Sequence, residues 1–215
     1  MGRTYRCVLW TETLREQHPG ADDAPQSTGS TSRPAAPKPR RALLLAAVAA
    51  VVVLADLATK TIALSRFSAH EPIAVLGEFL QFTLWFNSGA AFSMGTGMTW
   101  VFSLIKLAVI GYIAFLARRL RSTGWAVALG MILGGAAGNV IDRIFRPPYL
   151  LNGEVIDWIQ LPNWPVFNLA DSSIVCAGVL AVLLAFRGIN IDGTREGDDA
   201  DPAEASDGAG GESRQ

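Results

Sequence analysis

Three aspartates, Asp142, Asp157 and Asp171, carry most of the chemistry that this chain of 215 residues can offer. Two carboxyl groups sharing one site cannot both ionise cheaply, so one keeps a proton while the other activates water. That division of labour cleaves peptide bonds with no metal and no covalent nucleophile. Three candidates compete for two places. Arg143 follows Asp142 directly and can hold it ionised. Asp157 is expected on a flexible apolar loop and Asp171 on a rigid helix, which lets a substrate enter between them. Spacing by itself favours Asp157 with Asp171 only slightly.

Other chemistries lack their residues. No Ser/His or Cys/His pair falls in the layer of these aspartates, which argues against a triad hydrolase. No GxxxxGK[ST] phosphate loop occurs. With two histidines, His18 and His70, and two cysteines, Cys7 and Cys176, neither a metal site nor a disulfide framework is expected. No cofactor is expected either. The net charge of −1 argues against nucleic acid as a partner.

The elements that must position the aspartates are apolar. Half of the residues are hydrophobic and 17% are charged, against about 25% in an average soluble domain. Residues 1–41 hold seven Lys/Arg and four Asp/Glu, and residues 188–215 hold two and eight. Nine basic and seven acidic residues remain in 42–187, too few to keep a soluble domain of that size dispersed. Residues 42–187 therefore read as a membrane domain, between a disordered extension over 1–41 and a disordered acidic tail over 188–215.

A hydrocarbon core about 30 Å thick needs roughly 17–25 mostly apolar residues per helix. Four stretches qualify, about Ala42–Leu64, Thr99–Leu116, Trp125–Ile141 and Val166–Phe186. Between the first two, Pro72–Leu76 and Phe79–Phe86 are rich in β-formers around a Gly77-Glu78 turn signal. The expected fold is an all-α membrane protein of four transmembrane helices, with a small extracytoplasmic β-rich hairpin or half-barrel between helices 1 and 2. Its aromatics, with Trp100, Trp158 and Trp164, suit the headgroup level. Lys/Arg asymmetry sets the orientation. Arg33, Lys38, Arg40, Arg41, Arg118, Arg119, Arg121 and Arg187 mark the cytoplasmic side, opposite Arg66, Arg143 and Arg146. Both termini are then cytoplasmic.

With that orientation the polar residues of the spans converge on one outer layer. Asp56 and Lys60 lie four apart on one helix face. Asn139, Asp142 and Arg143 close the third span, Asn168 and Asp171 open the fourth, and Asn87 stands beside Gly89 in the outward segment. Ionisable groups in a span are costly and usually mark function. Structural readings compete with this one. Asp56 and Lys60 also fit a helix-surface pair, and Arg143 and Arg146 fit interfacial anchors, the better reading for Arg146. Asn168 also fits a helix cap, with Asp171 at the positive helix end. Gly130, Gly134 and Gly138 fit close helix packing. Cys176 reads as a buried small apolar residue, and Lys106 either snorkels or pairs with a carboxylate.

Five blocks resemble the lipoprotein signal peptidases (signal peptidase II), four-span membrane aspartic proteases of bacteria. They are Asp56-Leu57-Ala58-Thr59-Lys60, Asn87-Ser88-Gly89-Ala90-Ala91-Phe92, Gly134 through Arg143, Val155-Ile156-Asp157-Trp158, and Phe167-Asn168-Leu169-Ala170-Asp171. Each is short, and all five in order across 42–187 are specific. The resemblance implies that Asp157 and Asp171 are the catalytic pair. It further implies that Asp56, Lys60, Asn87, Asn139, Arg143 and Asn168 line the active site or substrate pocket, with Asp142 in support. The implied substrate is a prolipoprotein whose lipobox cysteine carries diacylglycerol, cut just before that cysteine. The implied partners are that substrate and membrane lipids, with the enzyme a monomer in the inner membrane and its site on the extracytoplasmic side. A small proton-coupled transporter using the same carboxylates as a relay is the alternative.

Overall fold

The computed structural model describes residues 40–89 and 99–195. Four helices are long and apolar enough to cross a membrane: α1 (Ala42–Arg66), α2 (Thr99–Leu116), α3 (Thr123–Phe145) and α4 (Leu169–Phe186). At about 1.5 Å per residue, the 18 residues of α2 and α4 span about 27 Å, close to the hydrocarbon thickness. Their exposed faces carry Phe102, Ile105, Val109, Val175, Val179 and Val182, the apolar surface that lipid covers. The expected spans thus hold, with shifted ends, but Cys176, expected to be buried, lies exposed on α4 beside Val175, because that face turns away from the bundle. At α3 the polar residues that end the apolar window, Asn139 through Arg143, continue the helical hydrogen bonding to Phe145. At α4 the Asn168 cap delays the start to Leu169.

α3 is the centre of the bundle and packs against α1, α2 and α4. Glycine makes this possible. A Cβ on Gly134 would stand 2.7 Å from Ala49 O and Val52 Cβ on α1, and one on Gly135 would stand 2.5 Å from Ala170 O on α4. Without side chains there, backbones approach closely enough for polar groups on three helices to touch. The start of α1, the end of α2 and the start of α3 share one end of the bundle, where Arg41 N–H donates to Leu120 O at 2.9 Å.

The outward segment forms the expected hairpin and more. β1 (Ile73–Leu76) pairs antiparallel with β2 (Leu80–Asn87), and β2 pairs antiparallel with β3 (Val155–Gln160). This third strand corrects the expectation that Asp157 rides a flexible loop. Asp157 stands opposite Trp85 in the β2–β3 register and is fully buried. Val155, Ile156, Trp158 and Ile159 supply the β-forming pattern, but their partner strand lies some 70 residues earlier. Phe67, Phe82 and Trp158 stack with centroids 5.1–6.4 Å apart and tie the sheet to the end of α1.

A second correction concerns the tail. Residues 188–195, expected to be disordered, form a folded turn. Ile189 pairs with Arg195, Asn190 N–H donates to Thr194 O, and Ile191 O accepts from the N–H groups of Arg121 and Ser122. Ile191 packs on the core of Leu45, Ile113, Leu120, Ala126 and Leu129. Two isoleucines in an otherwise acidic, Gly-rich run are enough to anchor it. The rest of the expected extension and tail, 1–39 and 196–215, lies outside the described residues, as do Ala90, Ala91 and Phe92 of the second block.

Candidate active site

Four elements bring their polar side chains together at one end of the bundle. Asp56 and Lys60 face inward from α1, Asn139, Asp142 and Arg143 from α3, Asp157 from β3, and Asn168 and Asp171 from the start of α4. All but Asp171 are buried. Lys60 is the hub. Its Nζ lies 2.6 Å from Asp56 Oδ2 and 2.8 Å from Asp142 Oδ2, and donates to Asn139 Oδ1 at 3.0 Å. The surface-pair reading of Asp56 and Lys60 therefore gives way: both are fully buried.

Each anion of this cluster also fixes backbone. Asp56 Oδ1 accepts from Ala170 N–H at 3.0 Å, which joins α1 to the first turn of α4. A Cβ on Gly138 would stand 2.5 Å from Asp56 Oδ2, so glycine there is what admits the carboxylate. Asp142 Oδ2 accepts from Ile156 N–H at 3.4 Å, one residue before Asp157, while Asp142 Oδ1 is paired with Arg146 Nε at 2.6 Å. Arg146 thus joins the site, and the anchor reading missed it. Its position four after Asp142 on one helix face was the available signal.

Two asparagines connect the cluster to the remaining aspartates. Asn139 Nδ2 donates to Asp171 Oδ1 at 2.8 Å. Asn168 Nδ2 donates to Asp157 Oδ1 at 2.6 Å and to Asn139 Oδ1 at 3.1 Å. Asn168 Oδ1 accepts from Asp171 N–H at 3.0 Å, and Asn168 N–H donates back to Asp171 Oδ2 at 3.4 Å, a reciprocal cap on α4. The capping reading of Asn168 is correct, and the same side chain also holds Asp157. On its other oxygen Asp157 accepts from Asn87 Nδ2 at 2.8 Å.

Burial raises the Asp157 carboxyl from 3.8 to about 7, and the charge of Asp171 adds to the rise. The donors Asn87 and Asn168, with Lys60, oppose it. A carboxyl titrating near neutrality beside a second carboxylate is the arrangement that acid–base work on water requires.

Arg143 is buried rather than at the interface. Its Nη1 donates to Asn87 O at 2.9 Å and Gly153 O at 2.7 Å, so it braces the ends of β2 and the loop before β3. Gly89 turns back with a positive φ of 87°, and its N–H donates to Asn87 Oδ1 at 2.7 Å. A Cβ there would come within 3.0 Å of Arg143 Nη2. Lys106, half-buried on α2, faces this layer and feels the charge of Asp171. Among the described residues, no group of three or more His, Cys, Asp and Glu could hold a metal ion.

The family model described as signal peptidase (SPase) II matches residues 48–187, a range that contains every one of these side chains. The chain belongs to the signal peptidase II family. The lipoprotein signal peptidase of Streptomyces coelicolor is 50% identical over 155 residues, covering 72% of this chain and 76% of the relative. That of Rhodococcus jostii is 43% identical over 183 residues, covering 85% and 92%. Two bacterial membrane enzyme structures solved by the in meso method, each 26% identical, superpose with TM-scores of 0.61 and 0.62. They cover 70% and 71% of this chain, and 92% and 98% of their own. This signal peptidase II chain is accordingly a multi-pass membrane peptidase of four spanning helices and a three-stranded sheet.

Proposed function

We propose that this peptidase removes the signal peptide from diacylglyceryl-modified prolipoproteins, cutting on the N-terminal side of the lipid-modified cysteine. Asp157 and Asp171 are its catalytic pair. The observation that carries this reading is that two amides, Asn139 and Asn168, bind both carboxyl groups into one network, in which burial raises Asp157 to about 7. The names of the relatives support the substrate class.

In the resting enzyme the pair shares one proton, held on Asp157, and Asp171 is the base. Water between them attacks the scissile carbonyl carbon and gives a proton to Asp171. The tetrahedral intermediate collapses as the acid proton passes to the leaving nitrogen, which breaks the C–N bond. Asn87 and Arg143 form the substrate-facing wall with Gly89, while Asp56, Lys60 and Asp142 hold the frame. The Lys/Arg distribution supports cytoplasmic termini and an extracytoplasmic site, at the depth where acyl chains of the substrate stay in the bilayer. The enzyme acts as a monomer without metal. The relatives named above are peptidases and lend the carrier alternative no support.

The test is cleavage of a diacylglyceryl-modified prolipoprotein by the purified enzyme in detergent. Asp157→Asn and Asp171→Asn should each abolish cleavage at near-normal folded yield. Substantial residual turnover in either would reject the pair.

A further inference from the structure

The end of the bundle opposite the aspartates holds a cavity of about 290 Å³ lined by Arg41, Arg121 and Arg195, with Ser122 and Thr123 at the start of α3. Arg41 Nε is buried there with no hydrogen-bond partner among the described residues, a donor left waiting for an acceptor. A neighbouring cavity of about 460 Å³ shares Arg121 and adds Arg40, Arg118 and Arg119, with Asp192 on its wall. Asp192 accepts from Thr194 N–H and Oγ1.

Folding gathers these guanidinium groups from three separate places. Arg41 immediately precedes α1, Arg121 ends the α2–α3 link, and Arg195 closes the turn that pairs it with Ile189. Ile191 O holds the N–H groups of Arg121 and Ser122, each at 3.0 Å, so the turn and the link move as one piece. Guanidinium forks match the paired oxygens of a phosphate group, and the positive end of α3 adds to the field. Both α1 and α3 enter their apolar spans at this cavity, which sets it at the depth of lipid phosphates.

We propose that this cavity binds the phosphodiester of an anionic phospholipid in the leaflet opposite the active site. Basic pockets between transmembrane helices on the cytoplasmic side bind anionic lipid head groups. The turn over 188–195 is then a functional element, because it delivers one of the three arginines.

The full-length protein in detergent is titrated with phosphatidylglycerol, phosphatidylcholine or inorganic phosphate, and adducts are counted by native mass spectrometry. The expected result is at least tenfold tighter binding of phosphatidylglycerol than of phosphatidylcholine. Arg41→Gln/Arg121→Gln/Arg195→Gln should abolish that preference, while Arg118→Gln/Arg119→Gln should change it less than threefold. Competition by millimolar inorganic phosphate supports the same phosphate chemistry and assigns a soluble source as well. Equal binding of the two lipids by the wild-type protein overturns the proposal whether or not the triple variant folds. Equal losses in the two variants would reduce the effect to general surface charge and overturn the site.

Discussion

Above neutral pH the Asp157 carboxylate is a charge that the fold buries at a cost, so removing it should remove the loss of stability that comes with its ionisation. Its pKa rises from 3.8 to about 7 on folding. A carboxyl shifted upward contributes its stability below the unfolded value and loses it as pH rises through the folded one. About three pKa units at about 1.36 kcal/mol each give about 4 kcal/mol, fully lost by pH 8. Asp157→Asn removes this dependence. The amide resembles the protonated acid in shape, but its amino group must face the Asn87 or Asn168 donor where both oxygens of the acid accept, so at pH 4 the variant should be less stable by about 1–3 kcal/mol. Between pH 4 and pH 8 the difference should move in favour of the variant by up to about 4 kcal/mol, or about 8–16 °C in Tm at 2–4 °C per kcal/mol. The assay is tryptophan fluorescence during thermal unfolding in one detergent, at each pH from 4 to 8. A Tm difference that stays flat across that range would refute the argument, since Asp157 would then titrate near its ordinary value and share no proton.

The same carboxyl should set the alkaline limb of activity. kcat/KM for a modified prolipoprotein should fall about tenfold per pH unit above about 7, as Asp157 loses its proton, and a rate constant to pH 9 would contradict this. Lys60→Met leaves Asp56 and Asp142 buried without the cation between them, which should cost about 3–5 kcal/mol in denaturant unfolding; a loss under 1 kcal/mol would show that the cluster is not held by charge. Gly134→Val forces a Cβ to within 2.7 Å of α1 and should cost about 1–3 kcal/mol, whereas Gly111→Ala, with nothing within 4 Å, should leave Tm unchanged. Equal Tm values for all three proteins would remove close packing as the reason for glycine at 134.

Hydrocarbon made the spans legible. Helices that must bury no backbone polar group in lipid need long apolar runs, and all four were readable to within a few residues. The hairpin was readable because Gly77-Glu78 separates two β-rich runs. β3 was not, because its pairing with β2 joins residues such as Asn87 and Val155 that local patterns never compare. The polar residues of the site were visible from their depth in the spans, but their wiring was not. Nothing in the spacing indicates that Asp56 reaches the Ala170 N–H, or that Asp142 rather than Asp157 takes Lys60. The folded turn over 188–195 was hidden by composition, since Ile189 and Ile191, which reach Trp125 and the core, stand in an acidic, Gly-rich run.

The wiring also explains why amides stand between the charge cluster and the aspartates. An asparagine can present either edge, and the choice here is forced from below. Lys60 Nζ can only donate, so Asn139 must turn its oxygen toward it, and its amino group is left facing Asp171. That oxygen also accepts from Asn168, which sends the Asn168 amino group to Asp157 and leaves its oxygen for the Asp171 N–H. One buried ammonium therefore sets the direction of two amides, and through them aims donors at both carboxyl groups. A carboxylate at either amide position would oppose its neighbours, and an alkyl group would leave buried donors and acceptors unmatched. The two aspartates come from a strand and a helix start, which the Phe167 backbone joins to Trp158 and Ile159 and the Asn168 side chain joins to Asp157 itself. Lys60, acting through Asn139, adds the direction of the two amides to that backbone frame.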